Sequence, residues 1–418
     1  METGIATESY RDFSVRVHDG LIRSRIPTGG SIEVTHRCPL SCIHCYDNLP
    51  ASDPTARGSE LTKDEHVRIL DELVEAGTLW VLYTGGEIFL RPDFLDIFLA
   101  AKKRGFIVTL FTNGTLITPR VADFLAEWRP FAVEISLYGA TAETYEAVTG
   151  VKGSYERCLR GVRLLHERGI PIALKGVALR SNVHELEAMK RLARDEFGLG
   201  FKFDAMMSPR LDCSQAPLAS RLEPADAVAL DFADTARRRS WVDFVGNRGL
   251  APARATDPGA APLYLCGGGV GGFAIDPAGR MRLCSQSQRD AWDLQRGSLA
   301  DGWVCISQEV RSRCATRPTK CTNCRLTAIC GMCPANGELE NGDPEAPVDF
   351  LCHVGHLRAQ VFGWPIPVHG ECEYCEGGAL HPAVRSEAEK IREKRGGEVI
   401  VPSSPPGAAG IALPSLPP

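Results

Sequence analysis

The sequence predicts an α/β protein from two observations: the alternation of two kinds of segment, and the number of units in which they alternate. Short apolar segments alternate with amphipathic helical segments between about residues 31 and 204. Such alternation is typical of parallel βαβ units, and six units favour an open barrel over a short open sheet. The predicted strands are Ile32–Thr35, Trp80–Tyr83, Ile107–Phe111, Ala132–Leu137, Ile172–Val177 and Phe201–Phe203.

The segments between the strands have the apolar period of helices. The predicted helices are Thr62–Ala76, Phe94–Arg104, Arg120–Trp128, Tyr155–Arg168, Val183–Arg194, Glu223–Arg239 and Arg385–Arg395. We predict five parts of the chain. They are an N-terminal extension (1–30), the barrel (31–240), a linker (241–262), a cysteine-rich domain (263–376), and a charged helix with a disordered Pro-rich tail (377–418).

Composition excludes several classes of protein. The net charge is -5 and no basic stripe is present, so nucleic-acid binding is not expected. No apolar run reaches transmembrane length and the N-terminus lacks a signal-peptide pattern, so we expect no membrane association and a cytoplasmic protein. The 16 cysteines of such a chain indicate metal or catalytic roles rather than disulfides.

A cysteine motif follows the first predicted strand directly. Cys38, Cys42 and Cys45 have the spacing C-x3-C-x2-C, with His44 before the last cysteine. Three thiolates on one loop can hold three corners of a [4Fe–4S] cluster, which normally takes four cysteines. One iron would stay open, and an open metal position distinguishes a reactive site from a structural one.

This motif resembles that of the radical S-adenosylmethionine (SAM) superfamily. The resemblance implies a partial (β/α)6 TIM-like barrel, a [4Fe–4S] cluster with an open iron site, and SAM bound to that iron. In this family an electron from the cluster cleaves SAM to methionine and a 5′-deoxyadenosyl radical. Active sites of such barrels lie at the C-terminal ends of the strands, where the cysteine loop begins.

Further SAM-binding residues are implied by the same resemblance. Gly85-Gly86-Glu87 ends the second strand and matches the family element that lines the SAM amino group. Ser136 matches a residue beside the SAM ribose, whereas Asn113 is as well explained as a loop cap. Lys175 is a candidate for the SAM carboxylate, with a solvated lysine as the alternative.

A second cysteine system lies in the C-terminal part. Cys266, a predicted β-hairpin ending at Cys284, and the run Cys321-x2-Cys324-x5-Cys330-x2-Cys333 are followed by Cys352. This order resembles the SPASM domain, a small cysteine-rich extension with a hairpin and short helices that holds two auxiliary iron–sulfur clusters. The last spacing departs from the usual x3. A zinc ribbon is the alternative, but ribbons separate their cysteine pairs by about 15–20 residues.

Family topology implies which cysteines bind which cluster. Cys321, Cys324, Cys330 and Cys352 would bind the second auxiliary cluster, and Cys266, Cys284 and Cys333 the first. The first cluster then lacks a fourth cysteine. Its fourth ligand could be a non-cysteine residue, water or the substrate, or the cluster could be a smaller one. We interpret Cys372-x2-Cys375 as a surface or redox-sensitive pair, with ligation as the alternative; Cys158, Cys213, Cys305 and Cys314 fit no motif.

The resemblance to SPASM enzymes favours maturation of a ribosomally made peptide or protein by crosslinking or oxidation. A flavodoxin or ferredoxin would donate electrons. Residues 1–30 are too few for a leader-binding domain, so either a separate leader-binding protein or the barrel itself is expected to recognise the peptide. The alternatives are a SAM-dependent dehydrogenase or epimerase of a small molecule, and a non-catalytic electron-transfer protein. Asp204, Asp212 and Tyr138 are weak acid–base candidates.

Overall fold

Six parallel strands form the centre of the protein, as seen in a computed structural model that describes residues 8–22, 24–47, 49–250, 259, 261–369 and 371–394. The strands in those residues are β1 (Gly29–Glu33), β2 (Arg37–Cys38), β3 (Leu49–Pro50), β4 (Trp80–Thr84), β5 (Ile107–Thr112), β6 (Ala132–Ser136), β7 (Ile172–Val177), β8 (Phe201–Asp204), β9 (Gly272–Ile275), β10 (Arg280–Arg282) and β11 (Trp292–Asp293).

The main sheet has the order β11-β10-β9-β1-β4-β5-β6-β7-β8, and β2 pairs with β3 beside it. Strands β1, β4, β5, β6, β7 and β8 are neighbours in chain order and run parallel. The two edge strands, β11 and β8, do not pair, so the sheet is an open barrel. All six parallel strands therefore end at the same edge, where the cysteine loop starts.

Helices follow the strands and continue into the C-terminal part. They are α1 (Tyr10–Ile22), α2 (Pro54–Ser59), α3 (Lys63–Glu75), α4 (Phe94–Lys103), α5 (Pro119–Glu127), α6 (Ala142–Thr149), α7 (Ser154–His166), α8 (Leu186–Phe197), α9 (Pro224–Ala233), α10 (Thr235–Arg248), α11 (Leu299–Val304), α12 (Thr327–Cys330), α13 (Pro334–Asn341), α14 (Asp349–Phe362) and α15 (His381–Glu393). No described helix has the length and apolar character needed to cross a membrane.

The two faces of the sheet differ in burial. Alternate residues such as Val108, Leu110 and Val133 are fully buried, and they pack with the apolar faces of the surrounding helices. The residues between them, such as Phe111 and Glu134, stay half-buried. This second face carries polar side chains, as expected for the inner face of a barrel that surrounds a ligand site.

The predicted hairpin is present, and it extends the barrel sheet. Strand β9 pairs antiparallel with β10, with Met281 opposite Ile275, and it pairs parallel with β1 on its other side. Phe273, Ile275 and Met281 consequently share one apolar core with the barrel helices. The hairpin therefore belongs structurally to the barrel.

A second apolar core joins helices α9, α12, α14 and α15. A buried ion pair crosses it, because Arg358 on α14 contacts Asp231 on α9 (Nη2–Oδ2 2.6 Å). Four cysteines are members of this core: Cys324, Cys352, Cys372 and Cys375. This region thus has an interior of its own, separate from that of the barrel.

Several predicted elements were wrong in extent. The single helix predicted over Glu223–Arg239 is two helices, because Asp234 is extended and its side chain accepts from the Arg237 amide to start α10. Helix α10 occupies the beginning of the predicted linker, of which residues 251–258 and 260 lie outside the described residues. The C-terminal helices are not all short, since α14 has 14 residues. The predicted tail lies outside the described residues from 395 onward.

Candidate active site

The cysteine loop begins where β1 ends, and contacts with the barrel hold it. Cys38 ends the short strand β2, and its neighbour Arg37 forms a two-bond ion pair with Glu60 (Nε–Oε1 2.8 Å, Nη2–Oε2 2.9 Å). Further along the loop, the Ser41 amide donates to the carbonyl of Thr149 at 2.9 Å, at the end of α6. The loop conformation is therefore fixed by backbone bonds and a buried guanidinium.

The three thiols of this loop act on one another. Burial raises the pKa of Cys38 to about 12, and repulsion from Cys45 adds to the rise. Burial, followed by repulsion from Cys45 and Cys38, raises the pKa of Cys42. The three cysteines lie within eight residues of one another on the loop, and the Cys45 amide donates to the Cys42 carbonyl at 3.1 Å. Three neighbouring thiols fit three corners of a [4Fe–4S] cluster, whose positive irons would stabilise them as thiolates.

His44 is buried beside these thiols. Its ring packs edge-on against Tyr138, with ring centroids 4.5 Å apart. Burial lowers the pKa of His44 to about 4, so the imidazole is neutral at physiological pH. Its Nδ1 atom has no hydrogen-bond partner among the described residues. Buried polar atoms are normally paired, so this nitrogen is consistent with a polar group bound next to the cysteine loop.

Gly85 and Gly86 bring the end of β4 against the cysteine loop. Gly85 has a φ of 134°, and a Cβ there would lie 2.2 Å from the carbonyl oxygen of Thr35. A Cβ on Gly86 would lie 2.3 Å from the carbonyl oxygen of Arg37. The amides of Gly86 and Glu87 donate to these two carbonyls at 2.7 and 2.9 Å. The close approach that glycine permits is therefore, in the first place, to the chain's own backbone.

The Glu87 carboxylate is fully buried and joins two strand ends. It accepts from the Thr112 hydroxyl (2.7 Å to Oε1), the Asn113 amide (2.8 Å to Oε2) and the Phe89 amide (3.1 Å to Oε1). Burial raises the pKa of Glu87 to about 6, and these hydrogen bonds oppose the rise. The side chain thus holds the ends of β4 and β5 in register beside the loop.

Asn113 has two roles in the structure. Its Oδ1 accepts from the Thr115 amide at 2.9 Å, which is the loop-cap contact that the sequence predicted as an alternative. Its Nδ2 also donates to the sulfur of Cys38 at 3.5 Å. Hydrogen bonds to a cluster-bound sulfur tune the reduction potential of the cluster. Asn113 is therefore positioned to contact either a cysteine that holds the cluster or a molecule bound to the cluster.

Ser136 and Lys175 are neighbours in register on β6 and β7. The Lys175 ammonium pairs with Glu134 (Nζ–Oε2 2.9 Å) and lies over the Phe111 ring. Burial lowers the pKa of Lys175 to about 8, although Glu134 opposes this. Lys175 is therefore a half-buried cation on the inner face of the barrel rather than a solvated surface lysine.

Sequence reasoning missed a polar network next to the cysteine loop. The Tyr46 hydroxyl donates to Glu33 at 2.8 Å, and His36 lies 3.4 Å from Glu33 and 3.7 Å from Asp47. Burial raises the pKa of Asp47 to about 7. Two signals in the sequence could have found it: Tyr46 and Asp47 directly follow the last motif cysteine, and Glu33 is a charged residue in a buried strand.

The acid–base candidates predicted from sequence have ordinary structural contacts. Asp204 and Asp212 are exposed, and each carboxylate accepts a backbone amide two residues ahead, from Met206 and Ser214. This contact is typical of an Asx turn. Tyr138 packs on His44 and burial raises its pKa, so it is a neutral hydroxyl within the barrel.

The structure brings Cys266, Cys284 and Cys333 together. Burial raises the pKa of Cys284 to about 11, and repulsion from Cys333 and Cys266 contributes. The Arg311 guanidinium donates to the Cys266 sulfur at 3.9 Å. The three cysteines thus share one neighbourhood at the end of the hairpin.

Cys321, Cys324, Cys330 and Cys352 line one small cavity. Burial raises the pKa of Cys330 to about 12, with repulsion from Cys324 and Cys321 adding to it. A hydrogen bond with Cys321 and burial raise the pKa of Cys352. Cys321 and Cys324 lie in the turns before α12, Cys330 is the last residue of α12, and Cys352 lies on α14, so packing of α14 on α12 completes the group.

The interpretation of Cys372 and Cys375 as a surface pair was wrong. Both are buried, because the turn that carries them packs on α14 in the second core. Their sulfurs face His356 and His369. The remaining cysteines differ: Cys158 is fully buried as expected for an apolar thiol, whereas Cys213 is exposed.

Comparison with known proteins agrees with this arrangement. A family model described as the radical SAM superfamily matches residues 32–193. Mycofactocin maturase MftC of Mycobacterium ulcerans is 32% identical over 364 residues, covering 87% of this chain and 91% of that protein. PqqA peptide cyclase of Granulibacter bethesdensis is 31% identical over 353 residues, covering 78% and 89%.

Solved structures support the fold. The crystal structure of Streptococcus suis SuiB bound to precursor peptide SuiA matches with a TM-score of 0.59 and 18% identity, over 83% of this chain and 82% of that one. The chain belongs to the radical SAM superfamily of enzymes, with a cysteine-rich C-terminal part. The predicted family and fold class are confirmed.

Proposed function

We propose that the chain modifies a ribosomally made peptide or protein by radical SAM chemistry, through crosslinking or oxidation. One observation carries the proposal: the Cys38, Cys42 and Cys45 thiols share a sheet edge with Gly85-Gly86-Glu87, above a half-buried polar face. The relatives support the peptide substrate, because they are named as a peptide cyclase and a maturase, and SuiB was crystallised with a precursor peptide.

In this proposal the chain's residues divide into two groups. Cys38, Cys42 and Cys45 hold the [4Fe–4S] cluster, and the residues facing SAM are Gly85, Gly86, Glu87, Asn113, Ser136 and Lys175. When bound, the cluster and SAM supply a 5′-deoxyadenosyl radical that removes a hydrogen atom from the substrate. The protein provides position and excludes water.

Each contact described above has a function in that scheme. Glu87 and the two glycines hold the β4 end against the cysteine loop, so that cofactor contacts from different strands keep their spacing. Lys175 presents a cation to the inner face of the barrel. Asp47 places a carboxylate beside the loop, with His36 3.7 Å away.

The C-terminal cysteines complete the proposed cofactor set. Cys321, Cys324, Cys330 and Cys352 would hold one auxiliary iron–sulfur cluster, and Cys266, Cys284 and Cys333 another whose fourth ligand stays open. We further propose a flavodoxin or ferredoxin as electron donor, a separate leader-binding protein, and the reducing cytoplasm as location.

An anaerobic SAM-cleavage assay tests the proposal. Wild type, the triple variant Cys38→Ala/Cys42→Ala/Cys45→Ala and the control Cys305→Ser are reconstituted with iron and sulfide, reduced and given SAM. We expect 5′-deoxyadenosine from wild type and control only, with auxiliary iron retained in the triple variant. Cleavage by the triple variant would contradict the assignment of the cysteine loop.

The peptide part of the proposal needs its own test. Peptides encoded beside the gene are added to the same assay, and their mass is measured before and after reaction. We expect a mass change, with SAM cleavage stimulated by one peptide. Cleavage coupled only to a small-molecule substrate would favour the dehydrogenase or epimerase alternative.

A further inference from the structure

Four buried side chains in the second core form a group to which the proposed function assigns no cofactor. Three of them, His356, His369 and Cys372, line the same small cavity as the proposed auxiliary-cluster cysteines. His356 lies on α14, and His369, Cys372 and Cys375 lie on the turn that packs against it. One ligand atom from each residue lies within 4.8 Å of the other three. Two thiols and two imidazoles are a common donor set for a tetrahedral metal ion.

The distances between these donor atoms have the size of a tetrahedron's edges. His356 Nε2 lies 3.6 Å from the Cys372 sulfur and 3.5 Å from the Cys375 sulfur. The Cys375 sulfur also lies 3.4 Å from His369 Nδ1 and 3.9 Å from His369 Nε2. Metal–sulfur bonds of about 2.3 Å and metal–nitrogen bonds of about 2.0–2.1 Å give tetrahedral S–N edges of about 3.5 Å. Small shifts of the side chains would close the set.

In both histidines a hydrogen bond at Nδ1 leaves Nε2 available to bind a metal ion. His356 Nδ1 lies 2.7 Å from the carbonyl oxygen of Cys352, and His369 Nδ1 lies 3.1 Å from that of Pro367. A carbonyl oxygen only accepts, so each Nδ1 bonded in this way carries the proton and leaves Nε2 with the lone pair. In His369 the protonated Nδ1 is also the ring nitrogen nearer the Cys375 sulfur. Metal-bound histidines typically fix their tautomer through such a bond from the other ring nitrogen.

Other uses of the four residues fit less well. A Rieske-type cluster has two thiolates on one iron and two imidazoles on the other; the two irons would separate the sulfurs from the nitrogens, whereas here both sulfurs contact the same nitrogen of His356. A redox disulfide between Cys372 and Cys375 would not require two histidines with orientated Nε2 atoms. A single ion accounts for all four residues.

We propose that His356, His369, Cys372 and Cys375 bind one tetrahedral metal ion of the zinc class. Four protein ligands in a buried group leave no open position, so the site is structural rather than catalytic. It would pin the turn at 369–375 to α14. The hydrogen bond from His356 to the Cys352 carbonyl would join it to the neighbouring auxiliary-cluster cysteines.

Metal analysis of the purified full-length holoprotein tests this. Zinc and iron are counted by mass spectrometry in wild type, His369→Gln, Cys375→Ser and the control Cys314→Ser. Cys314 belongs to none of the proposed metal-binding groups. We expect about one zinc per chain in wild type and control. We expect at least a fivefold loss of zinc in the two site variants, with iron unchanged.

Zinc K-edge absorption on the wild type gives a second measurement that does not depend on variants folding. The edge is specific to zinc, so iron clusters do not interfere. We expect two sulfurs at about 2.3 Å and two nitrogens at about 2.0–2.1 Å. Wild type without zinc, an all-sulfur shell, iron lost together with zinc in the variants, or a Cys372–Cys375 disulfide in the peptide mass map would each overturn the proposal. None of these outcomes bears on SAM cleavage, which tests the proposed function separately.

Discussion

The two cysteine regions of this molecule are built differently. Cys38, Cys42 and Cys45 lie on one short loop at the mouth of a barrel whose apolar core does not include them. In the C-terminal part, Cys324, Cys352, Cys372 and Cys375 belong to the apolar core itself. The barrel thus carries its motif on a scaffold that is complete without it, whereas the C-terminal core is partly made of thiols.

This contrast teaches what metal does in each region. A motif on a finished scaffold can be removed without loss of the fold, and it is free to leave a metal position open for chemistry. Where thiols form part of an apolar interior, the stability of that interior depends on bound metal, because without the metal the core loses the bonds that join its segments. Variants in the barrel and in the C-terminal core can test this contrast.

A matched pair of cysteines should separate the two regions. Cys42 and Cys352 have the same exposure, 9%. We expect Cys352→Ser to speed amide exchange in α14 at least about hundredfold, a loss of about 3 kcal/mol of local stability, because it removes a proposed cluster ligand within the core. Cys42→Ser should leave exchange unchanged and abolish SAM cleavage. Exchange measured by mass spectrometry on the reconstituted chain checks this; equal loosening by both variants would remove the contrast.

Two glycines should show how the barrel holds its loop. A Cβ on Gly86 would meet the Arg37 carbonyl at 2.3 Å, whereas one on Gly58 meets nothing within 4 Å. We expect Gly86→Ala to lower the free energy of unfolding of the barrel by about 2–3 kcal/mol through overpacking. Gly58→Ala, within α2, should raise it by about 0.5–1 kcal/mol. Urea unfolding measures both, and a neutral Gly86→Ala would show that the backbone approach is not needed.

Glu87 should make the stability of the barrel depend on pH. Its pKa rises from 4.5 to about 6 on folding, so the folded state binds its proton more tightly than the unfolded state. The stabilisation is complete below pH 4.5 and is lost as pH rises through 6, by about 2 kcal/mol. Wild type should lose this amount relative to Glu87→Gln between pH 4.5 and 7 in urea titrations. The exposed Glu143→Gln serves as the control; a pH-independent difference would contradict the prediction.

The smallest effect is expected at Lys175. A half-buried cation facing a bound carboxylate contributes about 1 kcal/mol, so Lys175→Met should raise the KM for SAM about three- to tenfold with kcat unchanged. Lys202, its exposed neighbour in register on β8, is the control. Steady-state kinetics checks this. An unchanged KM for Lys175→Met would indicate that the lysine serves only its pair with Glu134.

Much of the barrel could be predicted because its signals are local. Strand and helix periods, the turn before each helix and the cysteine spacing all lie within a few residues, and the structure places the six parallel strands close to where the sequence predicted them. The extent of α9 and α10 was missed because one carboxylate, Asp234, restarts the helix within an unbroken helical pattern. The capping contact is a matter of geometry, which periodicity does not record.

The family, the three-cysteine loop and the βα order could be identified from the amino-acid sequence alone, because each depends on residues adjacent in the chain. Only the tertiary structure decided that β9 extends the barrel sheet beside β1 and that Cys372 and Cys375 are buried. It also decided that His356 faces them from α14. These contacts join residues far apart in sequence, and burial in a shared core, rather than any local pattern, brings them together.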